Sequence, residues 1–137
     1  MSTTALHWIS GPELSKMYAE LATVLRPGGI LLNGDHLETD DATPVIARLE
    51  RAVHERETER EFAGRRPEDW RQWWEAVAAD PAFAELHAAR TTAGAGHHGS
   101  ESPLLSEHAD ALRDAGFSEI GTLWQRGDNR LLCAVRS

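Results

Sequence analysis

Leu25-Arg26-Pro27-Gly28-Gly29-Ile30-Leu31-Leu32-Asn33-Gly34-Asp35-His36 joins a helix end to an apolar strand through a proline-glycine reversal. Arg26-Pro27-Gly28-Gly29 cannot continue a helix, and its glycines supply the positive φ of a tight reversal. Ile30, Leu31 and Leu32 then run apolar without alternation up to Asn33-Gly34-Asp35-His36, which predicts an inner strand buried on both faces, as in a parallel sheet. Upstream, Leu14, Met17, Tyr18, Leu21, Val24 and Leu25 recur every three or four residues and predict a helix from Ser10 to Leu25. Ser10 and Glu13 form a capping box, in which the hydroxyl is expected to accept from an early amide while the carboxylate reaches back to the Ser10 N–H. Helix, reversal and inner strand, in that order, belong to an α/β fold.

Downstream, Pro44 stands at a helix start, with Val45, Ile46, Leu49 and Val53 on one side and Glu55 to Glu61 as a solvated face. Pro67 opens a helix carrying Trp70, Trp73, Trp74 and Val77 on one stripe, and Asp80-Pro81 caps another with Phe83 and Leu86. Thr91 to Ser102 has no apolar period and reads as a loop. Pro103 to Ala115 is predicted helical, stopped by Gly116. Phe117 to Gln125, with Ile120, Thr122 and Trp124 alternating against Gly121 and Leu123, and Arg130 to Arg136 then form an antiparallel hairpin about Arg126-Gly127-Asp128-Asn129. The chain is thus expected to be a single domain in three parts: 1–42, a helical insertion and loop over 43–102, and a closing helix and hairpin over 103–137.

Composition narrows the function classes. The 137 residues are 41% hydrophobic and 26% charged, with 14 basic against 22 acidic side chains, a net charge of −8. A chain of this size builds one core and no second substantial domain. Cys133 is the sole cysteine, so an intrachain disulfide is excluded; inside a strand it reads as a buried thiol in a reducing compartment, and the expected location is the cytoplasm. No run approaches the roughly 20 apolar residues of a membrane span, and Met1 to Trp8 lacks the features of a signal peptide. Lys16 is the only lysine, and the acidic balance repels nucleic acid. A small-molecule or protein partner fits better.

Gly94-Ala95-Gly96-His97-His98-Gly99 spells the dinucleotide fingerprint, with Glu119 downstream where a ribose-binding acid is sought. That motif needs a strand leading into the glycines and a helix directly after them, whereas a helix precedes these, so a loop is the better reading. His97 and His98 are either exposed loop residues or, for one of them, a polar contact or base for a substrate. His7, His36, His87 and His108 show no metal-ligand spacing, and no metal is expected. Trp73 and Trp74 point in different directions on their helix; one belongs to the core by default and the other can face a cavity. Asp35 and His36 stand at the carboxyl end of the inner strand, where open α/β sheets place ligands, although a plain strand-end turn reads equally well.

Ala5-Leu6-His7-Trp8-Ile9, the helix ending in Leu25-Arg26-Pro27-Gly28-Gly29 and the strand Ile30 to His36 together resemble the second half of a class I S-adenosylmethionine-dependent methyltransferase. Ala115-Gly116-Phe117, the strand to Trp124-Gln125, and Gly127-Asp128-Asn129-Arg130-Leu131-Leu132 resemble that family's last helix and closing hairpin. The resemblance implies the C-terminal part of a Rossmann-like methyltransferase sheet, beginning at the end of its fourth strand. It also implies that the Gly-rich cofactor loop and the ribose-binding acid lie upstream, so that the isolated chain is an inactive half. The parent would methylate a small molecule, with His7, Trp8, Asp35 and His36 on the cavity rim and His98, Trp73 and Trp74 toward the acceptor; no catalytic residue carries over. If the family's strand order holds, the inner strand has a bare outer edge, and a homodimer through that edge or through Met1 to Trp8 is expected. The alternative is a non-catalytic, self-associating module without cofactor affinity.

Overall fold

The computed structural model describes residues 1–40, 42–62, 70–92 and 102–137, the side chains of 70 and 71 excepted. Pro67, the glycine motif at 94–99 and His98 lie outside the described residues. The chain divides into two compact units, Met1–Glu55 with Gly99–Ser137, and Arg56–His98. The second falls within the expected helical insertion.

The first unit is built on a mixed sheet of order β1-β2-β4-β3: β1 (Ser2–Thr3), β2 (Ile30–His36), β3 (Phe117–Arg126) and β4 (Asn129–Arg136). β1 runs parallel to β2, with Ser2 opposite Asn33 and Thr3 opposite Gly34. β2 pairs antiparallel with β4 over its whole length, from Ile30 opposite Val135 to His36 opposite Asn129. The fold is therefore α/β, with an inner strand joined to a closing hairpin. The outer edge expected to be bare is covered in part: β1 and the Thr4 N–H, which donates to Gly34 O at 2.8 Å, occupy its carboxyl half. Among the described residues no strand pairs with that edge along Ile30 to Leu32.

α1 (Gly11–Val24) and α5 (Leu105–Asp114) pack on one face of the sheet, where Leu14, Tyr18 and Leu112 meet Leu31, Phe117, Leu132 and Ala134 in the core. Strand alternation puts Leu31, Asn33 and Asp35 on this buried face. The opposite face, with Leu32, Leu131, Cys133 and Val135, is half-buried, so Cys133 is not the fully buried thiol expected. The start of α1 carries the expected capping pair of Ser10 and Glu13. Glu13 accepts from the Ser10 N–H at 3.1 Å, and the Ser10 hydroxyl also donates to the same carboxylate at 2.8 Å. Both contacts, the backbone one first, hold the Glu13 carboxyl below its usual range.

Three further readings change. α5 starts at Leu105, not Pro103, where Glu107 accepts from the Leu104 N–H at 2.7 Å. In β3 a register shift between Thr122 and Trp124 breaks the alternation, leaving Leu123 and Trp124 both exposed. In α2 (Pro44–Phe62) the apolar side of Val45, Ile46, Leu49 and Val53 is the exposed one, and the buried residue is Glu50. The helical period was there, but an ion pair and not the apolar stripe chose which side faces inward.

Arg136 fastens the far end. Its Nε donates to Ala22 O at 3.0 Å and its Nη1 to Gly116 O at 2.9 Å, while Gly28, at φ +74°, donates its N–H to Arg136 O at 2.8 Å. The second unit takes in the last turns of α2 and, among its described residues, α3 (Trp70–Ala79), a 3₁₀ turn at Pro81–Phe83 capped by Asp80, and α4 (Ala84–Thr92). No described helix is long and apolar enough to cross a membrane.

Candidate functional site

Thr4 leaves β1 at φ +47°, a left-handed conformation unusual for a residue other than glycine, and turns the chain into a 3₁₀ helix at Leu6–Trp8. That turn is held by one side chain from the end of β2. The buried Asp35 carboxylate accepts from the Leu6 N–H at 3.0 Å and the His7 N–H at 3.3 Å through Oδ2, and from the His36 N–H at 2.9 Å through Oδ1. His7 Nδ1 lies 2.6 Å from the same Oδ1. With Asp35 accepting on every side, Nδ1 is the donor, which puts the lone pair of a neutral ring on Nε2. Ser102 adds a hydroxyl bond to His7 O at 3.1 Å.

Two more histidines continue the cluster. The His36 ring sits 6.4 Å from that of His7 and 6.3 Å from that of His54 on α2. The β2–β4 register brings the hairpin turn beside His36, whose Nδ1 is 3.1 Å from Asp128 Oδ2, while His54 Nδ1 is 3.4 Å from Asp128 Oδ1. The hydrogen bond to Asp128 raises the His36 pKa and lowers that of Asp128, so each favours the charged form of the other. Trp8, half-exposed, packs on His7 at 5.2 Å.

The wall behind Asp128 is anchored by charge. Glu50 forms a buried ion pair with Arg130, which also donates to Leu37 O. Glu50 accepts as well from Thr39 Oγ1 at 3.2 Å and Gln125 Nε2 at 3.0 Å. Gly127, at φ +62°, lets the hairpin turn pass close under α2: a Cβ there would stand 3.1 Å from Glu50 O. Between these parts lies a cavity of about 300 Å³ lined by Glu38, Thr39, Glu50, Arg51, His54 and Asp128 among others.

Of the sequence-predicted site residues, His7, Trp8, Asp35 and His36 are brought together at one strand end. Trp73 and Trp74 belong to the second unit, where both line a pocket described below. Sequence reasoning passed over His54, Asp128 and Glu50. Asp128 reads only as a hairpin turn residue, and its role depends on the pairing of His36 with Asn129, which no local pattern announces. His54 carries a fainter signal, one helical turn beyond Glu50 on the same face. Among the described residues, no three His, Cys, Asp or Glu side chains converge to hold a metal ion.

No family model matches the chain, and no curated protein matches it. Among solved structures, it is similar to a chain described as a possible exported protein from Bordetella parapertussis, with a TM-score of 0.50 and 15% identity. The match covers 98% of this chain and 37% of that one, so the chain spans little more than a third of its neighbour's length. At that identity the likeness bears on the fold alone.

Proposed function

We propose that these residues form the acceptor side of a methyl-transfer site in a Rossmann-like methyltransferase that takes its methyl group from S-adenosylmethionine and acts on a small molecule in the cytoplasm. The observation that carries this reading is the strand order, in which a parallel strand end, the inner strand and an antiparallel closing hairpin follow one another as the resemblance implies. The polar cluster supports it further, since it stands at the carboxyl end of adjacent parallel strands, where open α/β sheets bind ligands. Here the His7–Asp35 pair can take a proton from an acceptor hydroxyl or amine, with Asp35 fixing the ring's tautomer.

The cofactor itself does not fit the described residues alone. Asp35, the buried carboxylate at the strand ends, has both oxygens engaged by backbone N–H groups and His7. Of the buried polar side-chain atoms that lack a hydrogen-bond partner, the Asn33 amide and His108 Nε2 lie in the core, while Asp128 Oδ1, beside the strand-end cluster, already faces His54 Nδ1 at 3.4 Å. Weak affinity follows. Titrating the isotope-labelled chain with S-adenosylhomocysteine should shift amide resonances at Leu6 to Trp8 and Asp35 to Leu37, with half-saturation near about 1 mM. Absence of shifts at these positions overturns the reading, and micromolar binding overturns the assignment of these residues to the acceptor side only.

A second reading, a non-catalytic module that associates with itself, is favoured by the open Ile30–Leu32 edge next to the half-buried sheet face. On this reading the partner is a second copy of the chain.

A further inference from the structure

The second unit contains a pocket of about 440 Å³ that owes nothing to the strand-end cluster. Its construction follows from spacing. Trp73, Trp74 and Val77 stand on α3 at i, i+1 and i+4, and Leu86, His87 and Arg90 repeat the pattern on α4. The Asp80-Pro81 turn, in which Asp80 Oδ1 accepts from the Ala82 N–H at 2.9 Å, reverses the chain so that both triplets, with Phe83, line one hollow. Trp73 and Trp74 meet edge to face with ring centroids 4.8 Å apart.

The walls are apolar and open: Leu86 is 70% exposed, and neither the 3₁₀ turn nor α4 buries a residue. The volume lies in the range of small-molecule sites, roughly 300–1,000 Å³. One feature selects the ligand's charge. The Arg90 guanidinium lies 3.7 Å over the Trp74 ring, and among the described residues no carboxylate pairs with it, in a chain with 22 acidic side chains. A guanidinium over a ring keeps N–H groups that match a carboxylate in two parallel bonds.

We infer that this pocket binds a flat aromatic carboxylate, its ring against Trp73, Phe83 and Leu86 and its carboxylate on the edge of Arg90. The probes are 2-naphthoate and its uncharged analogue 2-naphthylmethanol, titrated calorimetrically into the full chain. One saturable site is expected for the acid, with the alcohol about tenfold weaker. Arg90→Gln should reduce the acid to the affinity of the alcohol and leave the alcohol unchanged. Leu86→Asp, at an exposed position and with helicity checked by circular dichroism, should abolish both. No saturable binding of 2-naphthoate up to about 5 mM overturns the proposal; so does equal affinity for acid and alcohol, or binding indifferent to the two substitutions. None of these outcomes depends on methyl transfer or on the strand-end cluster.

Discussion

His108 is fully buried on α5 and hydrogen-bonded through Nδ1 to the Tyr18 hydroxyl at 2.7 Å. Burial holds its pKa down at about 4 and pushes that of Tyr18 up, so the pair is neutral at ordinary pH. The consequence for stability has a definite sign. In the unfolded chain the ring protonates below about 6.5, whereas the fold keeps it neutral until about 4. Stability from this group is therefore complete above pH 6.5 and is lost as the pH falls toward 4, by about 3 kcal/mol. Urea unfolding across that window should show the decline, and His108→Gln, which preserves an acceptor for Tyr18, should flatten it. An unchanged slope in the variant would remove His108 as the cause. Asp35 belongs to the same scale: its type and place were legible at the end of an apolar run, but its work of tying the Leu6–Trp8 turn to β2 was not, because the turn lies far from it in sequence.

At the scale of elements, α1 and β2 were readable as helix and strand because composition, capping and reversal agreed within a few residues, but the expected burial of β2 on both faces, as in a parallel sheet, gives way to one buried and one half-buried face in a strand paired mainly antiparallel. α2 was readable as a helix but not in its orientation. Its apolar residues are exposed because Glu50 is drawn inward by Arg130, a partner on β4 that only the sheet brings within reach. A buried pair of this kind is costly to break and neutral to replace. Glu50→Ala should destabilise the first unit by about 3–5 kcal/mol, since it strands the Arg130 charge, whereas Glu50→Leu with Arg130→Met should cost far less. Chemical denaturation of the two variants decides it, equal losses being the contrary result. The hairpin was likewise expected, but the register shift in β3 that exposes Leu123 and Trp124 has no signature in an alternating pattern.

Across the whole first unit, the two edges of the sheet are unequal. β3 is interrupted by two register shifts and carries Glu119, Gln125 and Arg126, devices that discourage strand addition. Among the described residues nothing of this kind protects the edge of β2 from Ile30 to Leu32, and Ile30 is 58% exposed. Light scattering should accordingly report a dimer at about 100 μM, and Ile30→Lys should shift it to monomer with little change in unfolding midpoint. A monomer of the unaltered chain at that concentration would eliminate the edge as an association surface.

The sheet order has one more consequence, for the timing of assembly. Among the described strands, the long partner of β2 is β4, which lies roughly a hundred positions downstream. During synthesis β2 must therefore wait for that partner while the intervening helices emerge. This is the interval in which a chaperone would be most useful to a nascent chain of this design.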